Sequence, residues 1–257
     1  MRKPRPDELA ARIEGELRSI GTPERAAGAK SYLKSDLVFL GADTAALRGT
    51  VKSLLREAPE LHRAGLLSLV RALWPRGIFE LRAAAVELLM LRGPLLEAAD
   101  LALVERLLRD SHTWALVDAL AVHVAGPLVV RFPGLGTTLD RWAEDADFWV
   151  RRAAMLALLL PLRRGEGDFG RFSRYADRML EEKEFFIRKA IGWVLRETAK
   201  KRPELVEAWL APRTNRASGV TMREAVRYVP KARREALLAA YRERRPATGK
   251  PDTEERR

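Results

Sequence analysis

Cysteine is absent from this 257-residue chain, which excludes disulfides, thiolate metal sites, iron–sulfur clusters and cysteine nucleophiles. Histidine is nearly absent: only His62, His112 and His123 occur, with no metal-ligand spacing among them. No metal and no cofactor is expected. Gly134-x-Gly136 follows no strand pattern and reads as a turn, and a phosphate-loop signature is missing. No window approaches 18 uncharged apolar residues, and the first twenty residues mix Arg, Lys, Asp and Glu, so neither a membrane span nor a signal peptide is expected. Acidic residues are in deficit, 35 Asp+Glu against 47 Lys+Arg, and the pI is about 10.4. The expectation is a soluble, cytoplasmic protein whose partner is a polyanion.

What is present is helix. The chain is 47% apolar and 32% charged, enough for a real core. Apolar residues recur at three- and four-residue spacing among Leu, Ala, Arg and Glu, and alternating β-branched stretches are missing. Thr22-Pro23-Glu24 reads as an N-cap with Pro at the first helical position, and further breaks fall at Trp74-Pro75-Arg76-Gly77, Gly93-Pro94, Phe132-Pro133-Gly134 and Arg202-Pro203. Helices of roughly 10–20 residues joined by short turns follow from this punctuation.

One pattern repeats: apolar, any residue, apolar, Arg, any residue, Ala. It begins at Phe79, Phe148, Phe185 and Val220, with starts separated by 69, 37 and 35 residues. Because 69 is about two periods, a degenerate copy is expected at Thr113-Trp114-Ala115-Leu116-Val117-Asp118. A period near 35 with two helices per unit predicts an all-α fold, an α-α superhelix of HEAT-like repeats forming a curved solenoid with a concave basic groove. One repeat domain is expected over residues 1–243, with a disordered basic tail over 244–257.

Numbering each copy from its first residue, slots 3, 7 and 10 are apolar in all five copies and mark the packed face. Slots 2, 5, 6 and 9 lie beside it. They present Trp114, Asp118, Arg152, Lys189 and Trp193, with Arg196 and Lys200 continuing the last stripe. A cationic surface with two indoles and one carboxylate suits a nucleic acid whose backbone is held while one nucleotide is treated specially. Each residue alone has a plainer reading: Asp118 as a charge near a helix N-terminus, Trp114 and Trp193 as packing, Arg152 as a solvated or ion-paired cation. The abundant slot-4 arginines point away from this surface and read as solvated or helix-bridging.

At these residues the sequence resembles the AlkD-like DNA alkylation repair family of HEAT-like repeat glycosylases. The most specific stretch runs Lys183-Glu184-Phe185-Phe186-Ile187-Arg188-Lys189-Ala190-Ile191-Gly192-Trp193-Val194-Leu195-Arg196-Glu197. Supporting pieces are Trp114-x-x-x-Asp118, Trp149-Val150-Arg151-Arg152-Ala153-Ala154, and Tyr32-x-Lys34 leading to Phe39-Leu40-Gly41. The sequence departs from the family where Thr113 precedes Trp114 and where Asp43-Thr44-Ala45 follows the Phe-Leu-Gly segment. The resemblance implies excision of N3- or N7-alkylated purines from duplex DNA by a monomer. It makes Asp118 the catalytic carboxylate, Trp114 and Trp193 its flanking aromatics, and Arg152 the basic residue at the DNA backbone. Lys189, Arg196, Lys200, Tyr32 and Lys34 are then further DNA contacts. Two other readings stand beside it: a non-catalytic helical-repeat protein that binds damaged or branched DNA, and a protein-interaction scaffold.

Overall fold

The structure, a computed structural model, describes residues 5–243; the tail expected at 244–257 lies outside the described residues. The fold is all-α, with one isolated parallel bridge between Val38 and Ile78 and no strand among the described residues. The chain divides into two compact units, the first ending at Leu135 and the second starting at Gly136.

The first unit holds α1 (Pro6–Ile20), α2 (Pro23–Leu33), α3 (Thr44–Glu57), α4 (Arg63–Leu73), α5 (Phe79–Leu91), α6 (Leu101–Ser111), α7 (Trp114–Leu120) and α8 (Gly126–Arg131). Local chemistry sets its helix starts. The Thr22 hydroxyl accepts the Arg25 N–H at 3.3 Å ahead of Pro23, and the Asp43 carboxylate accepts the Ala46 N–H at 2.8 Å. Between α2 and α3 the chain turns at Lys34 (φ 48°), then runs beside the start of α5, where the Val38 N–H donates to the Gly77 carbonyl at 2.9 Å. The buried Glu80 carboxylate fastens this segment by accepting the Leu40 N–H at 2.9 Å and the Gly41 N–H at 2.8 Å. Phe39 stacks on Phe79 at 5.0 Å.

A π turn over Ala121–Ala125 joins α7 to α8. Pro127, at the second position of α8, has no N–H to donate and crowds the carbonyl of the preceding turn, so the helix widens just ahead of it. By length and composition alone, Trp114–Arg131 is apolar enough to cross a membrane, yet half of it is buried in the protein. Leu116, Val117, Leu120 and Ala121 are buried, with α7 packed on α5 and α6, as in the core helix of a globular unit.

The second unit holds α9 (Gly136–Trp142), α10 (Phe148–Leu156), α11 (Leu159–Arg163), α12 (Phe169–Met179), α13 (Phe185–Ala199), α14 (Pro203–Leu210), α15 (Gly219–Ala225) and α16 (Lys231–Glu243). Its core includes Trp142, Phe172, Met179, Ile187, Ile191, Leu195 and Met222. Helices α13 and α15 come very close at Gly192, where an added Cβ would lie 2.7 Å from the Glu224 Cβ.

The repeat is real, with the register of its second copy shifted. Helices α5, α7, α10, α13 and α15 start at residues 79, 114, 148, 185 and 219, intervals of 35, 34, 37 and 34. Partner helices precede the first four, with α4 packed on α5, α6 on α7, α9 on α10 and α12 on α13. The degenerate copy therefore begins at Trp114, not at Thr113. Ala115 and Ala119, expected on the packed face, are only half-buried, while Leu116 and Leu120 are buried. From Trp114 the copy reads Trp-x-Leu-Val-Asp-Ala, so slot 6 is alanine in every copy and only the slot-4 arginine is missing. Three slot-4 arginines of the other copies tie their helices to adjoining segments. Arg82 donates to the Trp74 carbonyl at 3.2 Å, Arg151 forms an ion pair with Glu182 at 2.7 Å, and Arg188 donates to the Glu182 carbonyl at 2.8 Å.

Candidate functional site

In the corrected register slot 5 holds Ala83, Asp118, Arg152, Lys189 and Glu224, so four of five copies place a charge at one equivalent position. Asp118 stands there in the second turn of α7, four residues after Trp114, which puts the two side chains on one helix face. Thr113 is the N-cap residue, and Asp118 lies beyond the first turn, where the helix-terminus field acts most. Helix-end electrostatics therefore does not account for this acid. Both Trp114 and Asp118 are half-buried.

Tryptophan burial separates two residues from the rest. Trp74, Trp142, Trp149 and Trp209 are buried, between 0% and 8% exposed, whereas Trp114 and Trp193 are half-buried. Exposed indole surface at these two positions costs hydrophobic stabilisation that the other four retain. The Trp114 ring meets Tyr32 edge-on, with centroids 5.7 Å apart and planes at 85°. Tyr32 is itself 72% exposed. Exposed Lys34 follows at the C-cap of α2, its side chain making no ion pair within the described residues. The structure thus brings Tyr32 of α2 to Trp114 within the first unit.

The second unit carries the remaining residues, and their partners were not apparent from sequence. Lys189 pairs with Glu224 at 2.7 Å, and Arg196 pairs with the other oxygen of the same carboxylate. Lys200 pairs with Glu197 at 2.8 Å, Arg163 reaches Glu197 at 3.1 Å, and the Lys200 ammonium sits 5.1 Å from the Tyr228 ring centroid. Burial alone would push the Glu224 carboxyl up, but its bonds to Lys189 and Arg196 hold it below the usual carboxylate range. A recess of about 270 Å³ opens here, lined by Phe185, Lys189, Val220, Arg223 and Glu224. Trp193 lies on α13 between Lys189 and Arg196 in sequence, one turn from each.

Arg152 differs from its expected setting. It is buried, 3% exposed, with its guanidinium donating to the Phe186 carbonyl and lying 5.7 Å from the Phe186 ring centroid. Trp149, one turn earlier on α10, packs on that same phenylalanine at 4.8 Å. Arg152 thus ties α10 to the first turn of α13, the helix that carries Lys189 and Trp193. Among the described residues, no group of three or more His, Asp or Glu could hold a metal ion.

Residues 13–229 match the family model described as DNA alkylation repair enzyme. The chain belongs to the DNA alkylation repair family. Two solved members of this fold resemble it. One is a predicted DNA alkylation repair enzyme from Enterococcus faecalis, 24% identical, covering 82% of this chain and 97% of its own, with a TM-score of 0.75. The other is AlkD2 from Streptococcus mutans, 16% identical, covering 88% of this chain and 100% of its own, with a TM-score of 0.55. No curated protein sequence matches the chain. Family membership makes DNA the partner and alkylation damage the context, and the matched segment includes Tyr32, Trp114, Asp118, Arg152, Lys189, Trp193, Arg196 and Lys200.

Proposed function

We propose that this family member is a monofunctional DNA glycosylase that hydrolyses the N-glycosidic bond of cationic N3- or N7-alkylpurines in duplex DNA, with Asp118 as its catalytic residue. The observation that carries the reading is the pairing of a half-buried carboxylate with a half-buried indole one turn away, in a chain whose other helix-borne tryptophans outside α13 are buried.

An N3- or N7-alkylated purine already bears positive charge, so it leaves without a strong general acid. The glycosidic carbon then passes through an oxocarbenium-like state, as in other glycoside hydrolyses. The Asp118 carboxylate stabilises that charge and orients the attacking water. The water's oxygen forms the new bond to the sugar carbon, the base departs with the bonding electron pair, and one proton goes to solvent. Trp114 offers a π face to the cationic base or sugar, worth roughly 0.5–2 kcal/mol. Lys189, Arg196 and Lys200 supply charge to the backbone. Their present partners are carboxylates, Glu224 for Lys189 and Arg196 and Glu197 for Lys200, with which phosphate would compete. Arg152 supports α13 through Phe186 and adds positive potential from below the surface.

Duplex DNA bearing N7-methylguanine provides the test, with free base as the readout. Wild type should release base, and Asp118→Asn should lose on the order of 10²-fold or more in single-turnover rate while still binding the duplex. Full release by Asp118→Asn removes that residue from the mechanism. Duplex binding by wild type without any release favours the non-catalytic damage-binding reading instead.

A further inference from the structure

The first unit has a second basic feature, apart from Trp114 and Asp118. Toward the C-terminal ends of α3 and α5, an open cleft of about 490 Å³ is lined by Gly49, Lys52, Leu55, Arg56, Leu91 and Arg92. Its charged lining is entirely positive. Gly49 faces open space, leaving the cleft unobstructed on the α3 side, and Leu91 is 40% exposed.

Most cations nearby are committed to carboxylates. Arg12 spans Glu16 and Glu57 at 3.2 and 2.6 Å, Arg48 faces Glu87 at 3.5 Å, and Arg63 holds Asp100 with bonds of 2.8 and 2.6 Å. Lys52 and Arg56 make no ion pair among the described residues, and Arg12 already occupies Glu57, the acid next to Arg56. Arg92 reaches only the Leu55 carbonyl, at 3.5 Å, and its Nε–H is buried without a hydrogen-bond partner. A buried donor left unpaired in a guanidinium is uncommon.

We propose that this cleft seats a backbone phosphate of duplex DNA and serves as an anchor independent of the lesion. Lys52 and Arg56 hold the phosphate oxygens, Arg92 adds a guanidinium donor from the opposite wall, and Leu55 and Leu91 face the adjoining deoxyribose. An open, shallow, all-cationic cleft with apolar walls fits a phosphodiester flanked by sugars better than a compact free anion, which a closed polar pocket would retain. The inference rests on DNA being the partner, but not on Asp118 being catalytic.

The experiment measures affinity for an undamaged duplex as a function of salt, using wild type, the double variant Lys52→Gln/Arg56→Gln, and the control Lys231→Gln/Arg242→Gln. The control removes the same charge from exposed positions on α16. Losing the one phosphate contact should lower the slope of log K against log salt by about 0.9 in the cleft variant. Between 50 and 200 mM salt its affinity should then fall by a factor roughly 3.5-fold smaller than that of wild type. The control should keep the wild-type slope. An unchanged slope in the cleft variant, or an equal drop in the control, overturns the anchor while leaving the glycosylase reading intact. Failure of wild type to bind duplex DNA at all defeats both.

Discussion

Single carboxylates organise this protein more than its excess of cations does. Glu80 is 2% exposed and accepts two backbone N–H groups, from Leu40 and Gly41, through its two oxygens. It thereby fixes the loop between α2 and α3, with α2 presenting Tyr32 to Trp114. Glu80→Gln replaces one acceptor with a donor that faces an N–H, leaving a buried donor unsatisfied. The expected cost is about 1–3 kcal/mol, read as a loss of stability in urea unfolding with an unchanged m-value. A change below about 0.5 kcal/mol would show that the loop is held by its apolar contacts instead. The role of Glu80 was hidden in the sequence because slot 2 reads as a solvent-facing position. Only the return of a loop 40 residues earlier in the chain buries it. The same holds for Arg152, whose long side chain folds onto Phe186 from the next repeat, a contact no spacing rule predicts.

At the scale of helices, the sequence pattern was informative where the period is 3.6 and silent where the ladder changes. Helical content, capping at Thr22 and the repeat near 35 residues were all legible. The copy at α7 begins one residue later than the repeat spacing suggests, and the alanine in slot 6 is the better register mark. The π turn before Pro127 was likewise not anticipated, since its signal is a lone proline within an otherwise helical run. Correct register matters for α15, whose slot-5 residue is Glu224. This carboxylate ties two cations of α13 and fills space beside Gly192. Glu224→Gln removes a negative charge from among groups proposed to meet phosphate. Undamaged duplex should then bind more tightly, by roughly fivefold or about 1 kcal/mol, measured by anisotropy at fixed salt. Weaker binding would mean that Glu224 aligns Lys189 and Arg196 for DNA rather than competing with it.

For the whole molecule, charge balance is where local pairing and global repulsion meet. The chain carries a formal charge of +12 at pH 7, and every carboxylate that is neutralised by acid adds to it. Several of these carboxyls are held below their ordinary values in the folded state. Glu14 is lowered by Arg18 and Arg76; for Asp100, burial pushes upward but the Arg63 guanidinium and the Glu97 N–H outweigh it. Asp140 shows the same contest, with the Tyr175 hydroxyl at 2.5 Å and Arg171 at 3.1 Å prevailing over burial, and Glu224 is lowered by Lys189 and Arg196. A carboxyl with a depressed folded-state pKa binds fewer protons folded than unfolded as pH falls through its ordinary value near 4. Its contribution is therefore intact above that value and is lost progressively below it. Rising net charge acts in the same direction, because a compact cation repels itself. Thermal melts should accordingly show a level Tm from about pH 6 to 8 and a steep decline below about pH 4.5. Asp100→Asn should lower Tm at pH 7 but flatten the acid decline, because one titrating carboxyl is gone. A wild-type Tm that stays level down to pH 3 would mean that these ion pairs stabilise the folded and unfolded chains alike, and that packing around Trp142, Phe172 and Ile187 carries the acid stability.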